Sequence, residues 1–362
     1  MTAPPVPSLV SLADVRRAAR RLRGVALRTP LLPFAPPTAR GTAGGTDGTP
    51  PLEAWLKPES LQPIGAFKLR GAYNAIAALP AARRRRGVVT HSSGNHAQGV
   101  ARAARLLAVP AVVVMPRTAP AVKVAGVRAD GAEIVFVGPS SDERLEVAHR
   151  LAEERHLSLI SSYDDAAVIA GQGTVGLELV EQVAELDRAA PTAAEPAALT
   201  VLVPIGGGGL ASGVSLAVKA LRPDARVYGV EPALAADARD SLREDRLVAW
   251  PPEAVSRTIA DGQRLTSIGR LPFEHLRRFL DGVLAVEEDE LKRAMFRAAR
   301  DARLVLEPSG ASTLAALLYR RAELPAAGRI VAVLSGGNVE PDRYREWLAE
   351  GEALEADATP TA

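Results

Sequence analysis

One lysine of this chain stands where amine chemistry could be set up. In Pro63-Ile64-Gly65-Ala66-Phe67-Lys68-Leu69-Arg70-Gly71-Ala72 it follows a turn and an aromatic residue and directly precedes a helical pattern. A helix N-terminus carries positive potential, and together with Arg70 it would push an ammonium toward its neutral form. A neutral amine is what condensation with a carbonyl requires. Alone, Lys68 also reads as a side chain that lays its stem on apolar surface and keeps its charge in water. A second segment, Thr90-His91-Ser92-Ser93-Gly94-Asn95-His96-Ala97, puts hydroxyls, an amide and helix-start N–H groups between a strand and a helix. Those groups suit a carboxylate or a phenolic oxygen, although a plain capped connection has the same composition and His96 reads more readily as a capping or packing residue than as a base.

The third segment, Val203-Pro204-Ile205-Gly206-Gly207-Gly208-Gly209-Leu210-Ala211-Ser212-Gly213, runs from a strand through four glycines into a helix. Residues without a Cβ let backbone N–H groups converge on a phosphate that also feels the helix N-terminus. The same stretch matches a dinucleotide fingerprint at Gly206, Gly208 and Ala211, with Glu231 closing the next strand toward a ribose hydroxyl. The fourth, Val333-Leu334-Ser335-Gly336-Gly337-Asn338, ends a strand in a hydroxyl and two glycines. It reads either as a turn or as a neutral hydrogen-bond partner for a ring nitrogen.

Chemistry of this kind needs strands that deliver each segment to one end of a sheet, and the hydropathy pattern supplies them. Short β-rich apolar runs alternate with amphipathic Ala/Leu/Arg-rich stretches, the rhythm of a parallel α/β protein. Strands are predicted over 87–91, 111–115, 133–137, 157–160, 199–204, 226–230 and 330–334. Helices are predicted over 13–22, 71–78, 96–107, 119–130, 141–154, 172–186, 210–221, 287–301 and 310–321. The stretches 36–51, 189–198 and 350–362 read as exposed loops or tail. At 362 residues the chain suits two substantial lobes. The 44 basic and 42 acidic residues are spread without a stripe, which argues against nucleic acid, and Arg83 to Arg86 read as a solvated helix end. Zero cysteines exclude disulfides and thiolate chemistry and fit a cytoplasmic setting, and no apolar run is long enough to span a membrane. Only five residues are lysines (Lys57, Lys68, Lys123, Lys219 and Lys292), so a lysine in apolar surroundings calls for its own explanation.

Taken together and in this order, the four segments resemble the fold-type II pyridoxal-phosphate (PLP) enzymes, in particular the serine/threonine dehydratase and serine racemase group, over roughly residues 15–342. The resemblance implies an α/β fold of the tryptophan synthase β type: two lobes, each a mostly parallel twisted sheet flanked by helices. The large lobe would take 1–80 and 166–349, the small lobe 81–165, and 350–362 would be a disordered tail. By the same resemblance Lys68 carries the cofactor with Phe67 beside its ring. Ser92, Ser93, Gly94, Asn95 and His96 face the substrate carboxylate, Asn95 also meeting the cofactor's phenolic oxygen. Gly206, Gly207, Gly208, Gly209 and Leu210 hold the phosphate, Ser335 with Gly336 meets the pyridine nitrogen, and Glu307 stands near the ring. Glu231, the Ala235 carbonyl and Asp237 match the family's divalent-cation site, all-oxygen ligands that suit magnesium or calcium. Ala66 departs from the serine often found before the Phe-Lys pair, and no appended regulatory domain is expected after the Ser-Gly-Gly-Asn strand.

The activity implied is loss of water from a small hydroxyamino acid, L-threonine or L-serine, to a 2-oxo acid and ammonia, with Lys68 taking the Cα proton. Racemisation through Ser93, on the face opposite Lys68, and 3-hydroxyaspartate deamination are the alternatives within the group. An NAD-binding dehydrogenase would use the glycine run and Glu231 but leave Lys68, the Ser-Ser-Gly-Asn turn and Ser335 without roles. A homo-oligomer, dimer or tetramer, is expected.

Overall fold

The computed structural model describes residues 8–35, 53–92, 94–138, 141–189, 197–326 and 328–357. Among the described residues ten strands form two sheets: β1 (Leu32–Phe34), β2 (Glu53–Pro58), β3 (Val88–His91), β4 (Ala111–Pro116), β5 (Glu133–Val137), β6 (Ser158–Leu159), β7 (Leu199–Pro204), β8 (Arg226–Pro232), β9 (Gly282–Val286) and β10 (Arg329–Leu334). The larger sheet runs β1-β2-β10-β7-β8-β9 and the smaller β5-β4-β3-β6. Every pairing is parallel except β1 with β2. The α/β class with two mostly parallel sheets is therefore as the sequence predicts.

Parallel strands covered by helices on both faces need apolar side chains at nearly every position, and β7 and β10 are buried along their whole length. The two-residue period divides them. Ile330, Ala332 and Leu334 point to the face packed by Leu291, Met295 and Leu314, whereas Val331 and Val333 point with Val201 and Val203 to Val175, Leu179 and Val214. In the smaller sheet Val89, Val112 and Val114 meet Val147, Ala148 and Leu151, while Val113 and Met115 meet Ala97, Ala101, Val124 and Val127. The helix predicted over 172–186 is Thr174–Ala189, preceded by a helix that the sequence reading did not include, Ala166–Gln172, with the break at Gly173. A Cβ there would lie 2.9 Å from the Gly213 carbonyl oxygen, so the close approach to helix Gly209–Leu221 demands glycine.

Strands β1, β2 and β9 and helix Arg270–Phe279 are additions to the sequence reading. The predicted tail from 350 is corrected as far as residue 357, since helix Pro341–Asp357 includes it. Glu355 explains why: its carboxylate takes the Tyr319 hydroxyl and pairs with Arg293 at 2.9 Å, fixing the last turns on helix Glu288–Arg297. Loop 36–51, most of loop 189–198 and residues 358–362 lie outside the described residues.

Candidate active site

The four segments that carried the chemistry in sequence sit at carboxyl ends of β-strands or are stitched to one. Ser92 follows β3, Gly206 follows β7 and Ser335 follows β10, the side of an open α/β sheet where ligands bind. The lysine turn has no strand of its own and is fastened to the end of β10 instead. Ala66 bridges Gly336, the Phe67 N–H donates to the Ser335 carbonyl at 3.1 Å, and the Gly337 N–H donates to the Gly65 carbonyl at 2.9 Å. From the other side helix Asn95–Leu106 packs on the start of helix Lys68–Ala78, where a Cβ on Gly99 would come within 3.1 Å of the Lys68 carbonyl.

Lys68 is half-buried, its ammonium 5.2 Å from the centre of the Phe67 ring, and it donates to the Ser162 carbonyl at 2.8 Å. Burial lowers its pKa from 10.5 to about 8. The cause differs from the one expected, because Arg70 contributes nothing. The Arg70 guanidinium turns away into a buried node, bonded at 2.7 Å to Glu59 and at 2.6 Å to Glu178, so its charge is spent before it reaches the amine.

His96 is buried, and its pKa falls to about 3 through burial and the neighbouring Lys68. Its Nε2 is 3.2 Å from the Ile160 carbonyl, which can only accept, so Nε2 carries the proton and Nδ1 is a bare acceptor. The ring therefore has no N–H left for a carboxylate, and only its backbone could serve one. Ser92 Oγ accepts from the Gly94 N–H at 3.2 Å. Ser93 lies outside the described residues. The Asn95 amide donates to Glu307 and accepts at 2.9 Å from Asn338, which also reaches Gln98 at 3.3 Å. Burial raises the Glu307 carboxyl to about 7 against the opposing pull of Lys123. Asn338, Gln98 and Lys123 were not singled out as site residues in the sequence; a lysine in apolar surroundings was the one available signal for Lys123.

All four glycines after β7 are required by the protein's own packing, a stricter reason than room for a phosphate. A Cβ on Gly206 would lie 2.8 Å from the Gly262 carbonyl oxygen, on Gly208 2.7 Å from Pro272, and on Gly209 2.9 Å from the Tyr163 backbone; at Gly207 it would run into the Tyr163 ring. Gly208 also sits at φ +89° and caps helix Gly209–Leu221, whose N-terminal N–H groups, with Leu210 at the second position, face an anion-attracting end. Tyr163 thus forms the wall between the glycine loop and the Ser162 carbonyl held by Lys68. Its only sequence signal is an aromatic residue just beyond a short strand. At the end of β10, Ser335 is buried with its hydroxyl 3.4 Å from the Ser309 carbonyl, a long contact that leaves the hydroxyl available.

Glu231, on β8, and Asp237, at the start of helix Asp237–Arg243, are both buried, as is Ala235 between them. Glu231 accepts from the Ala238 and Arg239 N–H groups at 3.1 and 2.9 Å, and Asp237 from the Ile268 N–H at 2.7 Å. Burial drives Glu231 well above its usual range and the charge of Asp237 adds to this, while Asp237 rises to about 7 mainly through burial. Glu231 feels the charge of Asp237, and two buried carboxyl groups that close are oxygen donors that would suit a divalent ion. Among the described residues no group of three or more His, Cys, Asp or Glu side chains is placed to ligate one, so carbonyl or water oxygens would have to complete the set. Nor is any helix among the described residues long and apolar enough to cross a membrane.

A half-buried amine with a lowered pKa, a glycine-led helix N-terminus and a hydroxyl at a neighbouring strand end fit a cofactor that has an aldehyde, a phosphate and a ring nitrogen. Comparison with known proteins agrees. The chain is 39% identical over 340 residues to the L-threo-3-hydroxyaspartate ammonia-lyase of Pseudomonas sp, covering 94% of this chain and 99% of that one. Among solved structures, a threonine deaminase from T.th. superposes with a TM-score of 0.79 at 43% identity, covering 91% of this chain and 99% of that chain. Maize serine racemase superposes with a TM-score of 0.81 at 36% identity, covering 97% and 100%. Residues 29–336 match the family model described as pyridoxal-phosphate dependent enzyme, and with that span and those identities the chain belongs to this family.

Proposed function

We propose that the protein removes water from a small 3-hydroxyamino acid, L-threonine or L-serine, to give 2-oxobutanoate or pyruvate with ammonia. The carrying observation is the pairing of an amine held near pKa 8 at Lys68 with a neutral hydroxyl at Ser335. Pyridoxal phosphate, bound through Lys68, supplies the carbonyl that engages the substrate amine and the ring that accepts the electron pair of the Cα–H bond. Lys68 Nζ would be the base at Cα, acting as the neutral amine, a form that a pKa of about 8 makes far more abundant near neutral pH than the ordinary 10.5 would. The Cβ–O bond would then break as the Cα electron pair forms the Cα=Cβ bond, the hydroxyl leaving as water with the proton that Lys68 took up; the enamine released tautomerises to an imine, and a water hydrolyses it to the 2-oxo acid and ammonia. Ser335 offers the ring nitrogen a hydroxyl instead of a carboxylate, so that nitrogen is not forced to hold a proton, a setting that favours prompt elimination over transamination.

In this reading the turn with Ser92, Ser93 and Gly94 holds the substrate carboxylate through hydroxyl and backbone groups, His96 through its backbone, and Asn95 orients the ring oxygen. Leu210 and the glycines hold the phosphate. Glu231, Asp237 and the Ala235 carbonyl would hold magnesium or calcium and stiffen the loop beyond β8. Residues 1–80 with 166–349 form the large lobe and 81–165 the small one, and the working form is a homo-oligomer. Racemisation stands as the second reading, supported by the likeness to serine racemase at an identity similar to that of the lyases.

The deciding assay offers L- and D-serine, L-threonine and both 3-hydroxyaspartate diastereomers to the purified protein and scores 2-oxo acid and inverted amino acid. Borohydride reduction followed by peptide mapping should fix the cofactor on Lys68, and Lys68→Ala should lose both the adduct and turnover. An adduct elsewhere, or a Lys68→Ala protein with full turnover, would overturn the assignment.

A further inference from the structure

Helix Ala121–Ala129 belongs to the smaller sheet, where Val124 and Val127 pack on Val113 and Met115. Its first turn nonetheless reaches across to elements of the larger sheet. The Val122 N–H donates to Glu340 at 2.9 Å, and the Lys123 ammonium lies 2.6 Å from Asp261 and 3.5 Å from Glu307. Only 4% of the Lys123 side chain is exposed. A buried ion pair is a poor source of net stability compared with apolar packing, but losing one partner is severe, so such a pair fixes an arrangement more than it strengthens a fold.

What it fixes is the approach of the substrate turn. A Cβ on Gly94 would be 3.6 Å from the Lys123 Nζ, and Glu307 uses its other oxygen to hold the Asn95 amide. On the opposite side the turn Asp261–Gln263 is tied to the floor of the site: Gln263 donates to the Ile205 and Val230 carbonyls at 2.8 and 2.9 Å, and the Gly262 N–H to Ser309 Oγ at 2.8 Å. One ammonium therefore lies beside the turn beyond β3 while it pairs with Asp261 and with Glu307, which itself holds Asn95 of that turn.

We propose that Lys123 is a positioning residue, a latch that holds the smaller sheet's substrate turn over Lys68 by sharing its charge between Asp261 and Glu307. The proposal rests on reading the Gly94–Asn95 turn as the substrate-carboxylate site. Breaking the latch lowers the fraction of molecules competent to bind, and the apparent dissociation constant rises by the reciprocal of that fraction. A competent fraction reduced to about one tenth raises KM roughly tenfold. Saturating substrate pulls the population back, so kcat changes less than KM.

The test uses the holoenzyme and its Lys123→Met, Lys123→Arg and Asp261→Asn variants, read by hydrogen exchange and by steady-state kinetics with L-threonine. Lys123→Met and Asp261→Asn should speed exchange in segments 121–129 and 258–264 while β3, β4 and β7 keep their protection, and should raise KM roughly tenfold. Lys123→Arg, which keeps a cation, should restore most of both. Asp261 is partly exposed, so Asp261→Asn carries the test if Lys123→Met fails to fold. Unchanged exchange in both segments, or an increase spread evenly over both sheets, refutes the latch. A protein inert toward every hydroxyamino acid would refute the proposed reaction alone, since the exchange measurement needs no turnover.

Discussion

Replacing Arg70 by methionine tests how the helix that begins at Lys68 is held. The guanidinium makes six contacts: Glu59 at 2.7 and 2.9 Å, Glu178 at 2.6 and 2.9 Å, Thr174 at 3.1 Å and the Leu27 carbonyl at 2.8 Å. Methionine keeps most of the apolar stem and removes the charge. Glu59, fully buried, is left with Thr29 and Gln62, and Lys57, 2.9 Å from Glu178, becomes the node's cation. Breaking a buried pair on one side costs about 3–5 kcal/mol. Lys57 still neutralises part of Glu178, which puts the loss near the lower end, about 3 kcal/mol, a large share of the roughly 5–15 kcal/mol by which folded proteins are stable.

The pH dependence gives the sign of the effect independently. Burial alone would raise the Glu59 carboxyl, but Arg70, with help from Lys57 and Thr29, holds the group below 4.5. Its contribution is therefore fully present above pH 4.5 and lost as pH falls through the lower folded value. Without Arg70 the carboxyl would protonate at higher pH, so the gap between wild type and variant should narrow on acidification. Urea unfolding of both proteins at pH 7 and at about pH 4.5 measures this. Arg70→Lys, which keeps the charge and loses the fork, should fall between them. A variant within about 0.5 kcal/mol of wild type at pH 7, or a gap that widens in acid, would refute the reasoning.

Three further outcomes are expected. Gly207→Ala forces a methyl into the Tyr163 ring, costing about 1–3 kcal/mol of stability and lowering cofactor occupancy; unchanged occupancy would show that the glycine loop does not shape the phosphate site. Reattachment of cofactor to cofactor-free protein needs neutral Lys68, so its rate should climb with pH and level off above about 8, whereas a midpoint near 10.5 would mean that burial does not govern the amine. After chelation, magnesium or calcium should raise the melting temperature of wild type and leave Asp237→Ala unmoved. Indifference of the wild type to both ions would remove the cation site.

What could be read in the residues and what could not divides by range. Strands such as β7, with Leu199, Val201, Leu202 and Val203 in one run, announce themselves locally, and so do the turns that follow them. β2 did not, because Glu53, Lys57 and Pro58 break its apolar run, and the buried Lys57 finds its partners in the Thr29 carbonyl and in Glu178 and Gln182, the last two 121 and 125 residues away. Lys123 likewise gains meaning from Asp261, 138 residues on. The sequence placed Arg70 beside Lys68 but could not show that its charge is consumed by Glu59 and Glu178. The four glycines were legible as a motif, while Tyr163, the wall that requires Gly207 and Gly209, was not, since nothing near residue 163 points to residue 207.

The seat of β10, between β2 and β7, has a consequence for how the molecule comes into being. Until the last strand is made, β2 has only the short β1 beside it, and the middle of the larger sheet is a gap with an unsatisfied edge on either side. The lysine turn waits as well, because Ile64 is bound by Asn338, 274 residues later. At synthesis rates of about 5–20 residues per second, that separation leaves the nascent chain some tens of seconds with its sheet open and Lys68 unplaced. Long-range parallel pairing of this kind is slow to form and exposed to aggregation while it waits. A ribosome-bound chain halted before residue 329 should accordingly capture no cofactor, and its release as a finished chain should bring sheet closure and cofactor capture in one step.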